Sequence, residues 1–277
     1  MNKHLILSLL GSVGRVSPFN LVGRVGLVGL MGLVSVGCTT NSEMRVQPAD
    51  IASKTDVIQR GQIHTERAAE YFRLGSMAVA LEAAEQATTV APKYAPGYNM
   101  LGLIYMELRD DTKAQTAFAQ AIALAPNDSD VLNNYGWFQC QRQSALRALP
   151  LFDRALLNPL YRTPEKALYN AGVCARKAGD DARAEVKLRA ALQRAPSMAS
   201  ALFEIADIEF AQGRLREAEL SIARYLQSVQ QASADGLFLA AKIARASGDR
   251  GAESNYIIQL RRRFPDSPQT QAISNPR

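Results

Sequence analysis

The chain has 277 residues, 47% of them hydrophobic, 21% charged and 7% aromatic. That apolar share supports a sizeable core and excludes a disordered or low-complexity chain, and frequent Ala with few aromatics favours helix over sheet. The net charge of +6 does not mark a nucleic-acid binder: Lys3, Arg15 and Arg24 fall within the first 37 residues, which hold no acid, and the other 29 basic against 26 acidic residues leave only +3, with no Lys/Arg cluster interleaved with aromatics.

The N-terminus runs from basic to apolar to small. Lys3 precedes Leu5-Ile6-Leu7, and an uncharged run extends from Val25 to Gly37 and ends in Val34-Ser35-Val36-Gly37-Cys38-Thr39. Such a run makes about 20 Å of helix, short of the ~30 Å hydrocarbon core of a bilayer, so a secretory leader is expected rather than a transmembrane anchor. A small residue directly before Cys38 resembles a bacterial lipobox. That resemblance implies cleavage of residues 1–37 and acylation of Cys38; an ordinary cleaved leader with an incidental Cys38 is the other reading. Several acyl chains make a stable anchor where one holds weakly. Thr39 stands where an Asp would favour inner-membrane retention, so the resemblance implies an outer-membrane, periplasm-facing protein. Residues 38–60 are polar and weakly patterned, and are expected to tether the lipid to the folded body, with some helix near the end of the stretch.

From residue 61 a period of about 34 dominates. Pro92 and Pro126 each close the same pattern: Ala80, Ala84 and Ala87 before the first, Ala114, Phe118 and Ala121 before the second, with Tyr98, Leu101, Gly102 and Tyr105 upstream. Leu132, Tyr135 and Gly136 lead to Ala148, Phe152, Ala155 and Pro159. Leu168, Ala171 and Gly172 lead to Ala184, Leu188, Ala191 and Pro196. Leu202, Ile205 and Ala206 lead to Ala218, Ile222 and Tyr225 without a closing Pro, and Leu237, Ala240 and Ala241 lead to Ile257, Leu260 and Pro265. These registers divide the chain into six units, 61–94, 95–128, 129–164, 165–198, 199–232 and 234–267, with 268–277 as a C-terminal tail.

The pattern closely resembles the tetratricopeptide repeat, two antiparallel helices per unit. Small residues at Gly102, Gly136, Gly172 and their Ala equivalents let paired helices approach. Phe118, Phe152 and Leu188 fill the space toward the next unit, the prolines stop the second helix, and Gly75, Gly179, Gly213 and Gly248 fall at the hairpin bends. The expected fold is all-α, a right-handed α-solenoid of about six hairpins with atypical end units.

Nothing in the sequence points to catalysis, a cofactor or a metal. Its two histidines are His4, in the leader, and His64, unaccompanied; HExxH, CxxC and nucleotide loops are absent from the mature part. Glu82/Glu85 and Asp110/Asp111 read as solvated helix or cap residues. Cys140 and Cys174 lie on the first helices of neighbouring units, hence on stacked elements. In an oxidising compartment they are a disulfide candidate, with two buried free thiols as the alternative.

In this fold the first helix of each hairpin lines an inner groove. Its expected lining is Asn99, Leu103 and Met106, then Asn133 and Trp137, then Tyr169, Val173 and Arg176, then Phe203, Asp207 and Phe210. Apolar groups with Asn amides suit an extended peptide or a helix, and a solvent-facing Trp137 would be its hot spot. Several of these residues could instead pack between hairpins.

The stretches Leu132-Asn133-Asn134-Tyr135-Gly136-Trp137-Phe138-Gln139-Cys140, Asn158-Pro159-Leu160-Tyr161 and Asn170-Ala171-Gly172-Val173-Cys174, together with the lipobox, resemble the type IV pilus biogenesis lipoproteins of the PilF/PilW type. The resemblance implies a pilotin, which accompanies the pilus secretin subunit so that it localises and assembles in the outer membrane. The lipid would supply the address and the groove would hold secretin, with no small-molecule substrate. The alternative is a periplasmic adaptor for another envelope machine, such as peptidoglycan enzymes.

Overall fold

The computed structural model describes residues 48–274, with side chains described from 55 to 273; Cys38 and the leader lie outside this range. Thirteen helices follow one another: α1 Pro48–Arg73, α2 Met77–Val90, α3 Ala95–Glu107, α4 Asp111–Leu124, α5 Ser129–Arg142, α6 Ala145–Ala155, α7 Pro164–Lys177, α8 Asp181–Arg194, α9 Ala199–Ala211, α10 Leu215–Ser228, α11 Ala234–Ser247, α12 Arg250–Arg263 and α13 Pro268–Ser274. No strand occurs among the described residues. Helices α1 to α12 pair into six hairpins, as the repeat implied, and each hairpin packs on the next.

Local chemistry explains the turns. Gly75, Gly179, Gly213 and Gly248 adopt φ values of 76°, 84°, 73° and 81° between paired helices, the left-handed region that is cheap only without a Cβ. The second hairpin makes the same bend with Arg109 at φ 64°, a strained choice for a residue with a side chain. Asp110 then caps α4 by accepting the Lys113 N–H at 3.0 Å, and Asp180 and Asp249 do the same for α8 and α12.

Paired helices touch through their small residues. A Cβ added at Gly102 would lie 2.6 Å from the Phe118 ring, and one at Gly172 would lie 2.6 Å from Leu188 Cγ and 3.2 Å from the Ala184 carbonyl. Leu188 is fully buried and a backbone oxygen cannot swing away. Gly172→Ala should therefore destabilise the protein by about 1–2 kcal/mol despite Ala's better helix propensity, as read from the urea midpoint.

Two segments depart from the sequence expectation. Helix α1 begins at Pro48, so the helix expected near the end of the 38–60 tether takes up thirteen of its residues and runs well beyond the first repeat. Residues 268–274, read as tail, form α13, which packs on α11 and α12. Thr270 there is buried and donates from its hydroxyl to the Phe264 carbonyl at 2.7 Å. The last hairpin would otherwise leave an apolar face open, and Ile273 helps to cover it.

Candidate partner-binding face

The first helices of the hairpins, α1, α3, α5, α7, α9 and α11, form the inner face. Direct contacts between successive members are close from α1 to α7 and loosen from α7 onward. This gradient divides the expected groove into a closed half and an open half.

In the closed half the groove is filled. Leu103 and Met106 are each 2% exposed, Asn133 1%, and Trp137 and Tyr169 5%. Trp137 is thus a core side chain, not a solvent-facing hot spot, and Val173 packs on the same core. The asparagines bond one another: Asn134 Nδ2 donates to Asn99 Oδ1 at 3.3 Å, Asn133 Nδ2 to Asn134 Oδ1 at 3.2 Å, and Asn170 Nδ2 to Asn133 Oδ1 at 3.0 Å. This amide ladder ties α3, α5 and α7 together, and so those amides do not meet a peptide backbone. Asn133→Ala would strip buried Asn170 of its acceptor, an expected loss of about 1–3 kcal/mol in urea unfolding.

The same stack of first helices carries a covalent bond and charge-assisted hydrogen bonds to backbone carbonyls. Cys140 and Cys174 form a disulfide between α5 and α7, with Cα atoms 5.8 Å apart. Lys177 Nζ donates to the Cys140 carbonyl at 2.9 Å and Arg142 Nη2 to the Met106 carbonyl at 3.2 Å.

In the open half, side chains remain half-exposed. Arg176 on α7 reaches α9, donating to Glu204 Oε2 at 2.9 Å and Asp207 Oδ2 at 2.6 Å. Burial pushes the Glu204 carboxyl above its ordinary range, against the opposing pull of Arg176. Phe203, Asp207 and Phe210 follow along α9, all partly accessible. Facing them on α11, Lys242 Nζ sits 5.2 Å from the Phe210 ring centroid and 5.1 Å from that of Phe238. Lys242 forms no ion pair with a carboxylate among the described residues.

Beside this strip lies a cavity of about 630 Å³, lined by Tyr169, Phe203, Tyr225, Phe264, Glu204 and Asp235 among others. It forms where the fifth unit lacks its closing Pro: residues 229–233 make the link to α11, held by Tyr225 Oη, which accepts the Ser233 N–H at 3.2 Å. Sequence reasoning missed Phe238 and Lys242, although they repeat the positions of Phe203 and Asp207 after an offset of 35 residues. Among the described residues no His/Cys/Asp/Glu group could hold a metal ion, and the surface offers aromatic rings, paired charges and one uncompensated ammonium. Such a strip can hold a polypeptide segment through apolar contact and charge.

Comparison with known proteins agrees with this architecture. Residues 95–128, 166–197 and 182–236 match tetratricopeptide repeat families. The type IV pilus assembly protein PilF of Pseudomonas aeruginosa is 23% identical over 201 residues, 73% of this chain and 79% of its own length. The solved structure of P. aeruginosa PilF superposes with a TM-score of 0.72 at 21% identity, covering 79% of this chain and 98% of that one, which shows the shared fold. The crystal structure of PilW, a widely conserved type IV pilus biogenesis factor, matches with a TM-score of 0.73 over 78% of this chain and 98% of its own. At 34% identity over that span, on the same stack of hairpins, this chain belongs to the PilF/PilW family of tetratricopeptide-repeat type IV pilus biogenesis proteins.

Proposed function

We propose that this protein acts in type IV pilus biogenesis as a pilotin: an outer-membrane lipoprotein that binds the pilus secretin subunit and promotes its localisation and assembly. The observation that carries the reading is the open strip of Arg176, Phe203, Asp207, Phe210, Phe238 and Lys242 on the inner face of a scaffold from the PilF/PilW family. A tetratricopeptide scaffold acts by holding other proteins, so the protein needs no chemistry of its own. It needs a rigid half and an accessible half, and the disulfide with the amide ladder stiffens α3 to α7 while α9 and α11 keep their rings accessible.

Membrane attachment through Cys38 is the second component. In Val34-Ser35-Val36-Gly37-Cys38 the thiol follows a small residue at the end of an apolar run. Acylation there would confine the protein to the inner leaflet of the outer membrane, where secretin must arrive.

The test is deletion of the gene in a piliated strain. Secretin multimers and surface pili should both be lost, and wild-type protein should restore them. Unchanged multimers and pili would refute the pilotin role. Cys38→Ser should move the protein from the membrane to the soluble periplasmic fraction.

A further inference from the structure

The third unit, 129–164, is two residues longer than the 34-residue period, and the extra length lies in the loop from Leu156 to Thr163 that joins α6 to α7. That loop holds the two most exposed large apolar side chains described, Leu157 at 80% and Leu160 at 84%. It is nonetheless a built structure. Asn158 Oδ1 accepts the Leu160 N–H at 2.9 Å, the Asn158 carbonyl accepts the Tyr161 N–H at 3.1 Å, and Tyr161 is buried beneath the turn. The inward tyrosine and the side-chain turn hold both leucines outward, where water gives them nothing.

The charges around the leucines are mostly positive. Arg154, Arg162 and Arg194 are exposed, and Arg194 shares a cleft with Asn158 and Pro159. Arg162 and Arg194 form no ion pair among the described residues. Of the nearby acids, Asp153 is taken up by Arg183 and Lys187, both at 2.7 Å, and Asp130 is half-buried against Tyr161. Glu165 at the start of α7 and Asp128, which caps α5 in the neighbouring loop, are the remaining carboxylates. Protruding leucines within a net-basic rim suit the boundary of an anionic bilayer, where apolar groups enter the acyl region and arginines meet phosphates.

The position of the loop in the fold points the same way. All return loops lie at the edge where the first helices of the hairpins begin. At that edge Gly61 of α1 abuts the α2–α3 loop, so that a Cβ there would lie 3.4 Å from Tyr94. The thirteen residues Pro48–Arg60 continue past it for about 20 Å of helix. Cys38 precedes Pro48 by ten residues, a reach of at most about 35 Å. The chain therefore leaves toward Cys38 from the same edge that bears Leu157 and Leu160.

We propose that the 156–163 loop is a membrane-contact knuckle: Leu157 and Leu160 enter the interface of an anionic phospholipid bilayer, and Arg162 and Arg194 pair with its phosphates. This rests on the reading that Cys38 is acylated, because two leucines bind a bilayer weakly unless a lipid already confines them to its surface. The second contact fixes the tilt of the solenoid and holds its open strip at a set height above the membrane.

The test uses protein purified from membranes and reconstituted into phosphatidylethanolamine–phosphatidylglycerol vesicles carrying brominated acyl chains. Wild-type protein has one indole, the buried Trp137, so L160W adds a reporter, with L157W as a second. Bromine should quench L160W emission several-fold more than wild type. The excess should shrink with R162E/R194E, in high salt and in vesicles without anionic lipid. Floating protein whose added indole stays solvated and unquenched would overturn the proposal, as would a blue shift that appears only on adding a protein partner. If wild type fails to float, the acyl anchor itself is refuted. The L160W chain is then coupled through the Cys38 thiol to a maleimide lipid in the same vesicles, and absence of quenching from that tethered chain overturns the knuckle separately.

Discussion

Replacing Cys140 and Cys174 with serine should lower the unfolding free energy by about 3–4 kcal/mol, with reductant giving the same loss in the unaltered protein. The bond joins residues 34 apart, and closing a loop of that size removes about this much freedom from the unfolded chain. The enclosed loop is also the part of the solenoid least able to support itself. Helix α6 has only 11 residues, carries Pro150 within it, and leads into the long 156–163 loop. Without the cross-link, only the Asn133–Asn170 bond, the Lys177 latch and the packing around Trp137 and Tyr169 would hold α5 to α7. Urea unfolding of C140S/C174S should show the lowered midpoint, and limited proteolysis should cut first between α6 and α7. A double variant as stable as wild type would show that packing alone sets the α5–α7 interface.

The second large effect separates the two halves of the inner face. Trp137→Ala should cost about 3–5 kcal/mol of stability, because the indole is buried between α3, α5 and α7, and any loss of partner binding should follow from unfolding. F210A/K242E should behave in the opposite way. Phe210 is half-exposed and Lys242 rests on the Phe210 and Phe238 rings without a carboxylate partner among the described residues. Their replacement should cost about 1 kcal/mol of stability or less, yet weaken partner binding by about 2 kcal/mol, roughly thirty-fold. Calorimetric unfolding beside titration with purified secretin separates the two behaviours. Equal losses of stability in both variants would remove the distinction between a structural half and a binding half.

The fold was legible because each structural need is met by a residue type that recurs at one spacing. Gly102, Gly136 and Gly172 sit where a Cβ would strike Phe118, Phe152 or Leu188, so close helix approach is written directly into the sequence. Arg109 shows where such reading fails: the second hairpin takes a left-handed bend without glycine, and only the coordinates reveal it. The inner face was half legible for a different reason. Residues at the Asn133 and Trp137 positions and at the Phe203 and Asp207 positions occupy equivalent sites in their units. Whether such a side chain meets solvent depends on how closely successive first helices pack, and this changes along the stack at α7. No single repeat encodes that curvature. The asparagines misled for the same reason, since an amide suited to a peptide backbone is equally suited to another amide across a tight interface. The missing Pro in the fifth unit was visible in the sequence, but only the folded loop showed that it opens a cavity.

The most direct test of the central claim is photo-crosslinking in piliated cells from a probe placed at Phe238, with a second probe at Val186 on the outer helix α8, where the side chain is 67% exposed. Capture of the secretin subunit from Phe238 and not from Val186 is expected if the open strip between α7 and α11 grips it. Capture from Val186 with none from Phe238 would contradict the assignment of the inner face as the binding surface.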